Sequence, residues 1–160
     1  MSRTLTATAL PPASHLKSHL GFWMRVVSNA VSHAFARRLE SSGVTVAEWV
    51  VLREMYGAEP TTPPSHIASV TGLTRGAVSK LIERLLAKGL VTRNEAVGDR
   101  RYQQVALTRS GSALVPRLGQ LADENDAQFF GVLSAAERRA LLQILKTMAT
   151  RHGLKRLPIE

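Results

Sequence analysis

The residues of this chain best suited to chemistry are Arg75, Gly76, Ser79 and Lys80, which recur at helical spacing, and the adjacent pair Arg100 and Arg101. Arginine and lysine donate to phosphate oxygens and to the acceptors on guanine edges, serine reaches either, and glycine allows close backbone approach. Packing gives no reason for two arginines side by side in Gly98-Asp99-Arg100-Arg101, so that tip reads as a solvent-side tool. The partner that suits such a set is duplex DNA.

The elements that must position these groups are legible around them. Ser65 to Val70 predicts a short helix and Thr71-Gly72-Leu73 a tight turn, after which a second helix opens at Thr74, whose hydroxyl is placed to cap it. Ile67, Ala68, Leu73, Val78, Leu81, Ile82 and Leu85 supply the faces that meet in a helix-turn-helix. Burying them leaves Arg75, Gly76, Ser79, Lys80 and Glu83 outward. Gly89 ends the second helix, and residues 90–95 and 102–107 read as paired strands around the arginine tip.

Helices flank this module on both sides. A long one, from about Ser14 to Ser41, carries Leu16, Leu20, Trp23, Val27, Ala30 and Ala34 in one stripe and Val31, Phe35 and Leu39 in another. Two apolar stripes need two covers, and a small domain offers only one of them internally, so a second subunit is the expected other. Gly43 ends that helix. Thr45-Val46-Ala47-Glu48 is a capping box with Val44 and Trp49 as its staple, and its helix should turn Trp49, Leu52, Met55 and Tyr56 inward before Gly57. Thr108 is placed to cap a helix towards Phe130, in which Pro116 should kink the chain or set the first turns apart. Ser134-Ala135-Ala136-Glu137 opens a last helix to about His152. Leu114, Leu118, Leu121 and Phe129, then Leu141, Leu145 and Met148, suit packing against the first helix.

Composition narrows the classes. At 160 residues the chain suits one domain, and its net charge of +9, from 21 Lys and Arg against 12 Asp and Glu, favours a polyanionic partner. There is no cysteine, which removes disulfides and Cys-ligated zinc. His15 and His19 lie four apart, but no third metal ligand accompanies them, and no metal or other cofactor is expected. The N-terminal residues contain no signal peptide and no segment suits a bilayer, so a cytoplasmic protein with no membrane partner is expected. Enzyme motifs are lacking too: no Gly-x-Ser-x-Gly elbow, no phosphate-binding glycine loop and no His-Glu-x-x-His run occurs.

From roughly Leu16 to His152 the chain resembles the MarR family of winged helix-turn-helix transcriptional regulators. The resemblance rests on Ile67-Ala68-Ser69-Val70-Thr71-Gly72-Leu73-Thr74, on Val78-Ser79-Lys80-Leu81-Ile82-Glu83-Arg84-Leu85 with Lys88-Gly89-Leu90-Val91, and on Asp99-Arg100-Arg101 leading to Leu107-Thr108-Arg109-Ser110-Gly111. It implies a mainly α fold with a small β-hairpin wing. It also implies a single domain over residues 15–152, with tails at 1–14 and 153–160, dimerisation helices at 15–42 and 109–152, and the winged helix-turn-helix at 45–108. Relatives often place a short third wing strand before Ser65, and Pro63-Pro64 can donate no ladder hydrogen bond, so that strand is expected to be minimal or missing.

Function follows from the same resemblance: a homodimer, by family default a repressor, reads a pseudo-palindromic operator in double-stranded DNA. Half-sites should lie about one helical turn, ~34 Å, apart. Helix 74–88 would enter the major groove, with Lys80 on base edges and Thr74, Arg75, Gly76, Ser79 and Arg84 as further contacts. Ala77 departs from relatives that carry serine there. Wing 91–107 would enter the minor groove, with Asp99 and Arg101 matching the family's Asp-x-Arg pattern, Arg101 reading the groove and Arg100 touching phosphate. Lacking cysteine, the chain has no thiol switch of the kind one branch uses. Many relatives bind small aromatic acids between the dimer helices and the reading head, and Trp23, His33, Trp49 and Arg53 have suitable types for a small aromatic or anionic ligand. A winged helix used for protein or RNA contact is the alternative, and it would need an exposed apolar face in place of Arg75, Lys80 and Arg101.

Overall fold

The structure, a computed structural model, describes residues 13–57, 60–95 and 103–159. Among these are six α-helices and one two-stranded sheet: α1 (Leu20–Glu40), α2 (Val46–Met55), α3 (Pro64–Thr71), α4 (Arg75–Ala87), β1 (Val91–Glu95), β2 (Gln103–Leu107), α5 (Arg109–Phe130) and α6 (Ala135–Arg151). The expected mainly α fold with a small hairpin is the observed one.

The core lies where the helix-turn-helix meets α2 and α5. Ile67, Val78, Leu81, Ile82 and Leu85 are buried there with Val51, Leu52, Met55, Val105, Val115 and Leu118, while Ala68 and Leu73 are half-buried against them. Strands β1 and β2 pair antiparallel, Val91 opposite Leu107 through Glu95 opposite Gln103. The third wing strand is reduced to one bridge, in which Thr62 donates to the Val105 carbonyl at 2.7 Å and accepts from Val105 N–H at 3.0 Å. The two prolines that follow have no N–H to extend it.

The start differs from the expected unbroken helix. Leu16–Ser18 form a 3-10 turn, His19 is extended, and α1 begins only at Leu20. Local bonds compete with the helix there: Ser18 Oγ donates to the His15 carbonyl at 2.6 Å and Trp23 Nε1 to the Lys17 carbonyl at 2.9 Å. His15 and His19 therefore flank a turn instead of sharing a helix face. Pro116 likewise does not divide its helix, because α5 runs continuously through it. Val115 and Leu118 are buried on either side, and Pro116 itself faces solvent, where water can serve the carbonyl it leaves unpaired. Tyr56 is exposed and not inward, since as the C-cap of α2 it leaves the helical conformation.

On α1 the two stripes part as expected. Leu39 is buried and Val31 and Phe35 half-buried, whereas Leu20 is 83% exposed and Trp23 and Val27 are also open. Asn125 of α5 donates to the Val31 carbonyl at 3.3 Å, and Arg38 pairs with Glu124 and Gln128, so α1 packs on α5. Helix α6 buries no residue at all. Its Leu145 and Met148, whose spacing suits packing against a first helix, are exposed in the single chain.

Candidate nucleic-acid interface

The recognition helix is built from its cap outward. Thr74 holds an extended backbone, and its hydroxyl accepts from Ala77 N–H at 3.2 Å. Gly72 before it adopts φ 72, closing α3 through a 2.8 Å bond from its N–H to the Ala68 carbonyl. That left-handed turn sets the angle between α3 and α4, and only glycine takes it without strain. With Val78, Leu81, Ile82 and Leu85 buried, Thr74, Arg75, Gly76, Ser79 and Lys80 line the exposed face of α4. Among the described residues none of Arg75, Ser79 and Lys80 enters a salt bridge or a side-chain hydrogen bond.

Arg84 lies on the same helix but is engaged differently. Its Nε stands 3.5 Å from the carboxylate of Glu48, which is fully buried, while Arg84 remains 56% exposed. Lys88 Nζ donates to Glu48 Oε2 at 2.7 Å and to the Gly43 carbonyl at 2.7 Å, and Thr45 N–H donates to the same carboxylate at 2.9 Å. Burial raises the Glu48 pKa, but the Lys88 bond, the Thr45 N–H and the charges of Lys88 and Arg84 outweigh it, leaving the carboxyl below its ordinary value. Glu48 thus joins the start of α2 to the end of α4. Glu83, a neighbour suited to pair with Arg84, instead accepts from Arg93 of β1 at 2.7 Å and ties the recognition helix to the wing.

The wing base is held from a third side. Thr108 Oγ1 donates to the Gly89 carbonyl at 2.7 Å and accepts from Gly111 N–H at 2.9 Å, so one hydroxyl caps α5 and fastens it to the end of α4. Asp99, Arg100 and Arg101 lie outside the described residues. Sequence reasoning missed Glu48, Lys88 and Arg93 as positioning groups, because their partners stand 40 and 10 residues away and no local pattern links them. The Thr45-to-Glu48 capping box was the only hint of a fixed Glu48 carboxylate.

Of the four residues with ligand-like chemistry, Trp49 lines a crevice. A crevice of about 250 Å³ lies between α1, α2 and α5, with Val31, Phe35, Val46, Trp49 and Asn125 among its walls. Phe35 meets Trp49 edge to face at 6.4 Å between centroids. Trp23 is 50% exposed, and His33 and Arg53 are exposed outside the crevice, with Arg53 bonding the Tyr56 carbonyl at 3.5 Å. Among the described residues, Asp126 is the ionisable side chain in the crevice walls.

A helix-turn-helix with an exposed polar face, a hairpin wing beside it and flanking helices defines a winged helix-turn-helix DNA-binding protein. The MarR family model matches residues 42–101, the turn and recognition helix included. A candidate transcriptional regulatory protein for the hcr operon of Thauera aromatica is 29% identical over 134 residues, 83% of this chain and 80% of that relative. Among solved structures, BpsR of Bordetella bronchiseptica, described with regulation of its DNA binding by 6-hydroxynicotinic acid, superposes with a TM-score of 0.72 at 28% identity, over 86% of this chain and 98% of that one. A mutant MarR from E. coli complexed with operator DNA gives 0.70 at 25% identity, over 81% and 92%. The chain is thus similar over most of its length to MarR-family regulators, and residues 42–101 match that family's model.

Proposed function

We propose that this chain is a MarR-family transcriptional regulator that binds a pseudo-palindromic operator in double-stranded DNA as a homodimer in the cytoplasm and represses the genes beside it. The observation that carries this is the row Arg75, Gly76, Ser79 and Lys80, exposed and free of ion pairs among the described residues, on a helix whose other face is fully buried. A helix seated that firmly presents its donors in one pose, which is what groove reading requires. The wing tip, with Arg101 and its companion Asp99, supplies the minor-groove arm, and Arg100 a phosphate contact.

Homodimer formation is supported by the apolar surface a single chain leaves bare on the first half of α1 and on α6, where Leu20, Trp23, Leu142 and Ile144 are all half or more exposed. Release of the operator by a small ligand is supported by the crevice, whose Trp49 and Phe35 offer ring faces. Its composition favours an aromatic ligand over a purely anionic one, because Asp126 is the ionisable group on its wall.

Gel shifts with duplex DNA and with RNA of the same sequence test the reading: binding confined to the duplex is expected, and equal binding to both would overturn it. Two variants separate the readers. Lys80→Ala should cost about 1–3 kcal/mol and relax preference at one position per half-site. Arg101→Ala should weaken binding most at operators with a narrow minor groove and lower the salt slope. Equal, sequence-independent losses would reduce Lys80 to a phosphate contact.

A further inference from the structure

Residues 153–160 read from sequence as a simple tail, yet residues 154–159 fold back onto the reading head. Leu157 N–H donates to the Val70 carbonyl at 2.9 Å, in the last turn of α3. Pro158 forms part of the crevice wall with Trp49, and Leu157 and Ile159 are half-buried. Just before these anchors Arg156 lies across the helix-turn-helix. Its Cδ and Nε occupy the space a side chain on Gly72 would need, 2.6 and 2.8 Å from where such a Cβ would stand. Arg156 as a whole is exposed and makes no salt bridge or side-chain hydrogen bond among the described residues.

We propose that the segment Gly153–Ile159 is a strap that adds Arg156 to the DNA-binding face as a phosphate contact beside the turn of the helix-turn-helix. The inference rests on the DNA-binding reading above. Gly72 lies two residues before the Thr74 cap, on the approach to the row Arg75, Gly76, Ser79 and Lys80, so a cation held over it stands at the margin of the same surface. A free tail carrying an arginine would pay to order it on binding, whereas Leu154 N–H on the Ala149 carbonyl before it, and Leu157 at Val70 and Pro158 at the crevice after it, hold it beforehand. The strap also explains a second demand on Gly72, which must be glycine for its backbone and for the stem of Arg156 above it.

Operator affinity measured from 50 to 200 mM salt separates the outcomes. Each lost phosphate contact removes about 0.9 from the slope of log affinity against log salt, so Arg156→Ala in a homodimer should lower the slope by about two. The advantage of the parent protein over the variant should shrink roughly tenfold across that range. Arg156→Lys should keep most of the slope. Arg156→Gln, which leaves much of the stem over Gly72, should lose it as Arg156→Ala does, with melting temperatures unchanged in all three. An unaltered slope, or a loss of affinity equal at every salt concentration, would overturn the contact and leave Arg156 a packing residue. Failure of the parent protein to bind duplex DNA would instead overturn the reading on which the inference rests.

Discussion

Glu48 has no solvent exposure and is ionised, a combination that costs several kcal/mol unless the charge is met. It is met by Lys88, by Arg84 and by the Thr45 amide, and the result is a strut between α2 and the recognition helix. Glu48→Gln removes the charge and leaves Lys88 and Arg84 without their counter-ion, which should cost about 1–3 kcal/mol in stability by denaturant unfolding. The lowered pKa fixes the sign of the pH dependence: the carboxylate contributes fully above its ordinary pKa, and the contribution is lost as pH falls through the lower folded value. The parent should therefore lose stability relative to Glu48→Gln on acidification below about pH 4.5. Convergence of the two curves only above neutral pH would contradict the strut. Asp99 gives a second test of sign. If it holds Arg101 extended, Asp99→Ala should weaken operator binding with little change in melting temperature, whereas tighter binding would show that it only repels phosphate.

At the scale of elements, the turn at Gly72 is the joint on which the reading head depends. Gly72→Ala meets a left-handed φ of 72 and the stem of Arg156 together, so it should destabilise by about 1 kcal/mol or more in thermal or denaturant unfolding. The helix-turn-helix, both capping boxes and the hairpin were legible because each is a local pattern: apolar spacing, a Thr or Ser three residues before Glu, a glycine at a stop. The break at His19 was not, because it arises from side-chain bonds of Ser18 and Trp23 to backbone that no periodicity encodes. Pro116 misled in the opposite direction. Its residue type argues for a kink, but burial of Val115 and Leu118 on either side keeps α5 continuous. The site divided in the same way: the exposed face of α4 follows from its period, while the ties from Glu48 to Lys88 and from Glu83 to Arg93 are tertiary and left no sequence signal. Of the ligand candidates only Trp49 reached the crevice, since residue type says nothing of which face a side chain takes.

At the scale of the whole molecule, the reading head is fully packed while α6 buries nothing and the first half of α1 shows its apolar stripe to solvent. Leu20, Trp23, Val27, Leu142, Ile144 and Leu145 are all exposed, and apolar surface of that extent suits burial against a second subunit. Sedimentation at micromolar concentration should give twice the chain mass, and a clean monomer would remove the two-half-site geometry with it. That geometry is the central claim, and in vitro selection from random duplex DNA tests it most directly. The account predicts enrichment of an inverted repeat whose half-sites are centred about one helical turn, ~34 Å, apart, with Lys80→Ala losing preference at one position in each half. Enrichment of a single unrepeated site, or none, would contradict it.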